Sequence, residues 1–242
     1  MLRPMCEHYV ARASEPFRLD ELWSFTDRLE RYGIAGFGWG AAWLTGEGRL
    51  ASYRDLRAFR LDPGREAIGA TETTAALVHL RRPSKLSTLG MADTQPFDDP
   101  AGRFSFSHNG DLRDIRTWRQ RYRSQGRIHG RADTEVGARW LEDAWPTAGN
   151  PGGLLKTLHE TFGGQANLSV LAADGSASAY AGNTENPVFA FRLGRIGVAC
   201  TGIYSLDRSV FRYVAPGAEE RRLVRVGAAV TLDRNGGVAQ AS

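Results

Sequence analysis

Lysine is nearly missing from this 242-residue chain: Lys85 and Lys156 are the only two among 31 basic side chains, and the other 29 are arginine. Against 27 acidic residues the formal net charge is +4. The skew toward arginine reads as genome composition more than as affinity for nucleic acid. Its densest run holds Arg113, Arg116, Arg119, Arg121, Arg123 and Arg127. Leu112, Ile115, Trp118 and Tyr122 sit among them at helical spacing, which describes a helix with a solvated basic face. No nucleic-acid reader motif accompanies the charge, so nucleic acid is not an expected partner.

Cysteine is also scarce. Cys6 and Cys200 are the only two, which excludes a disulfide framework and any paired-cysteine zinc site. No apolar run is long enough to cross a bilayer, and the first residues lack the apolar core of a secretory signal. A cytoplasmic protein with no membrane partner is expected. The chain has no Gly-Lys-Ser/Thr phosphate loop and no Gly-x-Ser-x-Gly elbow. Gly36, Gly38 and Gly40 are spaced too tightly for a dinucleotide fingerprint. No cofactor and no metal is expected.

What is present is an ordinary globular balance, 42% hydrophobic and 24% charged, enough for one layered domain. Leu19 to Arg31 carries a period near 3.6 and Gly33 stops it. Ile34 to Leu44 alternates aromatic residues with glycines, as a strand approached closely on its glycine face does. Thr74–Leu80 and Arg103–Ser107 read as strands, the second ending at the turn signal His108-Asn109-Gly110-Asp111. Helices are expected over Thr134–Ala144, capped by Asp133, and over Leu154–Phe162, stopped by Gly163-Gly164. Short strands follow at 166–172, 177–180, 188–193, 196–201, 223–226 and 228–232, with 210–220 as loop. One α+β domain of antiparallel sheets covered by helices is the economical reading.

Met5 stands immediately before Cys6. If translation starts there, loss of the methionine leaves a cysteine whose thiol and α-amine belong to one residue, a nucleophile carrying its own base. The alternative is an ordinary buried thiol; Cys200, inside a strand-like run, reads as core. Three further stretches offer tools for acyl transfer from a carboxamide. Asn109-Gly110 can supply a side-chain amide and a main-chain N–H to an oxyanion, or can simply be a hairpin turn. Arg81 can hold a substrate carboxylate through two parallel hydrogen bonds, with Ser84 adding a hydroxyl, or it and Arg82 are surface charges. Asp133 can hold an α-ammonium, or caps its helix. His79 and His108 read as packing and orientation, since a terminal amine already serves as base.

Together these stretches resemble the class II glutamine amidotransferase domain, a family of N-terminal-nucleophile hydrolases. Met5-Cys6 is similar to the family's start and nucleophile, and Leu29-Glu-Arg-Tyr-Gly33 with Gly38-Trp-Gly40 to its first helix and strand. His79-Leu-Arg81 resembles its histidine–x–arginine strand end, Ser84 standing where threonine is usual. Thr94-Gln-Pro-Phe97 resembles the Asn/His-Pro-Phe stretch. Phe106-Ser-His-Asn-Gly110 is the strongest match, and Asp133-Thr-Glu135 is similar to the Thr-Asp-Ser/Thr-Glu element. The resemblance implies a four-layer αββα sandwich of two antiparallel sheets between helices. It implies that Cys6 attacks a γ-carboxamide through a thioester, that Asn109 and Gly110 form the oxyanion hole, and that Arg81 and Asp133 hold the glutamyl group. Residues 1–5 are then an extension absent from the mature protein and 6–242 a single domain. Arg82-Pro83 stands where synthase members carry a channel tryptophan, which argues against ammonia channelling. The stand-alone members, including the γ-glutamyl amidohydrolases of the ergothioneine pathway, are the nearest in kind. The alternatives are a glutaminase subunit delivering ammonia to a separate synthase partner, or a catalytically silent sensor of a glutamyl ligand; the expected partners are a small molecule with a glutamyl group and either such a synthase or further copies of the chain in a homo-oligomer.

Overall fold

A computed structural model describes residues 6–83, 85–145, 150–203 and 208–241. Two antiparallel sheets lie face to face. The first has seven strands: β1 (Glu7–Arg18), β2 (Trp39–Leu44), β3 (Leu50–Asp55), β4 (Glu72–Leu80), β9 (Val188–Leu193), β10 (Ile196–Thr201) and β11 (Ala218–Leu223). They run in the order β11-β9-β10-β1-β4-β2-β3. The second has six: β5 (Phe97–Asp98), β6 (Phe104–Leu112), β7 (Gly164–Ala172), β8 (Ala177–Tyr180), β12 (Ala229–Leu232) and β13 (Val238–Ala241), in the order β13-β12-β8-β7-β6-β5. Helices α1 (Trp23–Gly33), α2 (Gly64–Gly69) and α6 (Phe211–Val214) pack on the first sheet. Helices α3 (Arg116–Ser124), α4 (Asp133–Ala144) and α5 (Pro151–Phe162) pack on the second. This is the αββα sandwich that the resemblance implies. No helix among the described residues is long and apolar enough to cross a membrane.

Strand alternation divides the side chains among three cores. Along β1, Tyr9 and Ala11 join Phe25, Leu29 and Trp39 under α1, while Val10 faces the other way. Between the sheets the residues are small: Ala42, Ala75, Ala177, Ala179, Ala190 and Ala199 pack with Val10, Leu77 and Leu171. The third core joins Phe106, Leu168 and Val170 to Val136, Leu141, Leu158 and Phe162 of α4 and α5. At one end of the inter-sheet layer the residues become polar. His8, His79, Ser107, Asn109, Asn167 and Ser169 are all buried there.

Several elements differ from the pattern-based reading. The Asn109-Gly110 pair is not a turn. β6 continues through it, pairing Asn109 with Asn167 and Gly110 with Ala166. The glycine is still required, because φ is 115° and a Cβ there would meet the Gln165 carbonyl. The first helix begins as a 3₁₀ turn over Leu19–Leu22 and ends with Ile34, not a glycine, in the left-handed region. Ala132 occupies the N-cap of α4, so Asp133 opens that helix rather than capping it. The stretch read as a loop holds α6 and the first half of β11, and the strand expected at 223–226 runs instead over Ala218–Leu223. β3 and β13 carried no legible pattern: β3 is half-exposed on an edge, with no apolar alternation.

The polar end of the sandwich has a consequence for acid stability. Burial pulls His8 down to about 3, and pulls His79 and His108 below the ordinary histidine range. Each of these groups therefore takes up its proton near pH 6.5 when unfolded and only at lower pH when folded. Stability is full above about 6.5 and is lost as pH falls, by up to about 1.4 kcal/mol per pH unit for each histidine. Among the described residues neither ring nitrogen of His79 has a hydrogen-bond partner. His79→Leu is expected to remove about one proton from the acid slope and to stabilise the fold near pH 6, where the protonated unfolded state no longer competes. Denaturant titrations at several pH values between 4.5 and 7 check both; an unchanged slope counts against this account.

Candidate active site

Cys6 directly precedes β1, and the alternation that turns His8 and Val10 between the sheets turns Cys6 the same way. The Arg82 N–H donates to its sulfur across 3.3 Å, and the thiol lies 3.5 Å from the Arg82 carbonyl. The residue is only partly covered, yet the protein around the sulfur pushes the thiol up to about 11. Desolvation is the main cause. The Arg82 N–H and the Arg81 charge oppose it, and the Glu7 and Asp133 carboxylates add to it. At neutral pH Cys6 is therefore a thiol, not a thiolate.

Four of the residues singled out in the sequence converge on one cavity of about 70 Å³. Cys6, Arg81, Gly110 and Asp133 line it, with Arg82, Pro83, Thr88, Asp93, Gln95, His108, Ala132 and Thr134. Asn109 does not line the cavity. It lies beneath, fully buried, and its side-chain N–H donates to the Cys6 carbonyl. Arg81 is buried at the cavity wall. Its two terminal nitrogens donate to the main-chain carbonyls of Asp93 and Thr88, and its Nε has no acceptor. Asp133 accepts from Leu112 N at 2.8 Å and from Thr134 N at 3.0 Å. His108 Nδ1 is 3.1 Å from Thr134 Oγ1 and 3.9 Å from Asp133. Ser84 and residues 1–5 lie outside the described residues. Two larger hollows, of about 590 Å³ along α1 and about 770 Å³ beside Phe189 and Leu223, contain none of these groups. Among the described residues no group of three or more His, Cys, Asp or Glu is arranged to hold a metal ion.

No protein-family model matches the chain, and no curated protein matches it in sequence. Solved structures do. A glutamine phosphoribosylpyrophosphate amidotransferase from B. subtilis superposes with a TM-score of 0.72 and 16% identity over 98% of this chain and 49% of its own. An allosteric regulatory enzyme of purine biosynthesis gives 0.73, also at 16%, over 98% of this chain and 48% of its own. A glutamine aminotransferase class-II domain protein from Silicibacter pomeroyi gives 0.58 at 16% over 97% of this chain and 98% of its own. The fold is that of a class II glutamine amidotransferase domain. The chain spans about half the length of the first two relatives.

On this amidotransferase fold, several residues at the site escaped the sequence reading. Gln95, which the resemblance includes without giving it a role, is the clearest. Its carboxamide oxygen accepts from His108 N at 2.7 Å and its nitrogen donates to His108 O at 3.1 Å, so one side chain grips the backbone beside Asn109. Asp93 accepts from Arg131 N and Ala132 N, both at 2.6 Å, and so fixes the turn that presents Asp133. Glu7, next to Cys6, is fully buried and takes a bond from Thr201. Asn167 had a weak signal available: asparagine is depleted in strand interiors, and here it interrupts an apolar strand.

The raised thiol sets a testable pH dependence. With the titration near 11, the thiolate fraction grows about tenfold per pH unit through the whole range from 7 to 10. Alkylation of Cys6 by iodoacetamide in the 242-residue chain is expected to follow that rise without the plateau above pH 9 that an ordinary cysteine shows. A rate that levels off near pH 8.5, followed by peptide mass, would contradict the desolvation described.

Proposed function

We propose that this chain is a cysteine-dependent amidohydrolase that cleaves a γ-glutamyl amide, either glutamine or a γ-glutamyl conjugate, through a thioester. One observation carries the reading: a sulfur, a buried arginine, a carboxylate and a glycine N–H border one small cavity, on a fold shared with class II amidotransferases. Residues 6–242 act as a single domain in this reading, and Cys6 is its first residue.

The chemistry follows from the groups at hand. A thiol titrating near 11 needs a base, and the α-amine of Cys6, once free, is the nearest one. It accepts the thiol proton as the sulfur attacks the γ-carbonyl carbon, so a free thiolate need not accumulate. The carbonyl electrons move to oxygen, where the second N–H of Asn109 and the Gly110 N–H stabilise them. Collapse expels ammonia or an amine, which takes the proton back from the α-ammonium. Water then attacks the thioester by the same route, releasing glutamate and restoring the thiol. Arg81 binds the substrate α-carboxylate and Asp133 the α-ammonium; Ser84 is assigned to the same cradle on sequence grounds alone. The Thr88 and Asp93 carbonyls now engaged by Arg81 compete with that carboxylate, so binding draws them off the guanidinium.

The protein beginning at Cys6 is expected to hydrolyse glutamine or a γ-glutamyl amide, and Cys6→Ala to lower turnover by about 10³-fold or more. Absence of turnover, or its survival in the alanine variant, ends this reading. So does an intact mass showing that native material retains Leu2, Arg3 and Pro4 ahead of the sulfur. Arg81→Lys keeps the charge but loses the planar fork. It is expected to raise KM about tenfold or more with a smaller change in kcat, measured by steady-state release of ammonia or glutamate. An unchanged KM removes Arg81 from substrate binding.

A further inference from the structure

Asn109 can stabilise an oxyanion only if the nitrogen end of its amide faces the nucleophile. The two ends have nearly the same shape, so something must decide the orientation. The bonds around Asn167 supply that decision. Its Oδ1 accepts from the main-chain N–H groups of Gly182 and Asn183, at 3.2 and 3.1 Å. Those two donors are part of the backbone and cannot be turned round, so the oxygen of Asn167 must face them. Its nitrogen then faces the other way, donating to Asn186 O at 2.7 Å and to Asn109 Oδ1 at 3.2 Å. Asn109 must meet that donor with its oxygen, which leaves its nitrogen pointing at Cys6. Both side-chain amides are fully buried, so no solvent exchange relaxes the choice.

We infer that Asn167 is a positioning residue: it relays the fixed polarity of the Gly182–Asn183 backbone to Asn109 and holds the donor end of that amide toward the nucleophile. A turned amide would aim a carbonyl oxygen at the developing oxyanion and replace attraction with repulsion. The cross-strand pair Asn109–Asn167 lies in register on neighbouring strands, so the two side chains of the relay stand on sheet backbone, while Gly182 and Asn183 follow the end of β8. The inference concerns the orientation of Asn109 and rests on the proposed function only for its effect on rate.

Two variants and one spectroscopic measurement test it. Asn167→Asp keeps the acceptor for Gly182 and Asn183 but loses the donor. Asn167→Leu loses both and stays neutral. In folded protein both are expected to lower kcat about 30-fold or more with KM changed less than about threefold. The Leu variant is expected to be alkylated at Cys6 within about twofold of the parent rate, since that reaction needs no oxyanion hole. A general structural lesion would move alkylation and KM along with kcat. Independently of activity, the Asn109 side-chain amide protons of the full chain are expected to show nuclear Overhauser contacts to Cys6 protons and slow exchange with solvent. Variants turning over within about threefold of the parent overturn the relay, as does a parent spectrum in which those amide protons show no contact with Cys6. A parent with no γ-glutamyl turnover ends the proposed function instead, and the spectrum alone then decides the orientation.

Discussion

The site depends on a polar seam between two sheets that elsewhere meet through alanine. Small residues let β1 and β4 approach β6 and β7 closely, and at that separation polar side chains from opposite sheets touch directly. His8 Nδ1 reaches Ser107 Oγ at 3.1 Å across the layer. The Asn109 amide reaches the Cys6 main chain in the same way. Larger residues in the alanine positions would wedge the sheets apart and lengthen every one of these bonds, although none of them would touch the cavity. The inter-sheet spacing is therefore as much part of the site as Cys6 is.

The seam also explains why the fold tolerates poorly satisfied groups. Both nitrogens of His79 and Nε2 of His108 lack partners, each a cost that an apolar core would avoid. The same region carries the buried carboxylate of Glu7 and the guanidinium of Arg81. Strong local costs persist in a folded protein when the surrounding structure over-determines them, and they gather at functional sites. Here the surrounding structure is the paired register of β1 with β4 and of β6 with β7, long ladders that do not rearrange to relieve one ring.

What the sequence made legible followed from how local each signal was. The helices α4 and α5 and the strands β7 to β10 announced themselves through period and punctuation within a dozen residues. Cys6, Arg81, Gly110 and Asp133 could be singled out because each sits in a short local motif, and the structure brings the four to one cavity. The Asn109-Gly110 pair was ambiguous for a physical reason. The same dipeptide satisfies a hairpin turn and a strand position with positive φ, and only the pairing with β7 distinguishes them. Asp93, Gln95 and Asn167 were illegible because each acts through backbone groups between 13 and 39 positions away in the chain. Nothing near them in the sequence records that partner.

The balance at Cys6 shows why the thiol needs help from its own residue in the proposed chemistry. Arg81 and the Arg82 N–H both favour thiolate, yet burial outweighs them. No buried histidine of the seam offers a remedy: His8 already spends its ring nitrogens on Ser107 and Ser169, and His79 and His108 are held neutral in a medium where accepting a proton is costly. A carboxylate base fares no better, because Glu7 lies on the opposite face of β1 and its charge raises the thiol further. An amine on the nucleophile's own α-carbon avoids all three difficulties. It sits within reach by covalent geometry, and it is neutral in part at physiological pH. The arrangement thus favours a base that no side chain in the seam can supply.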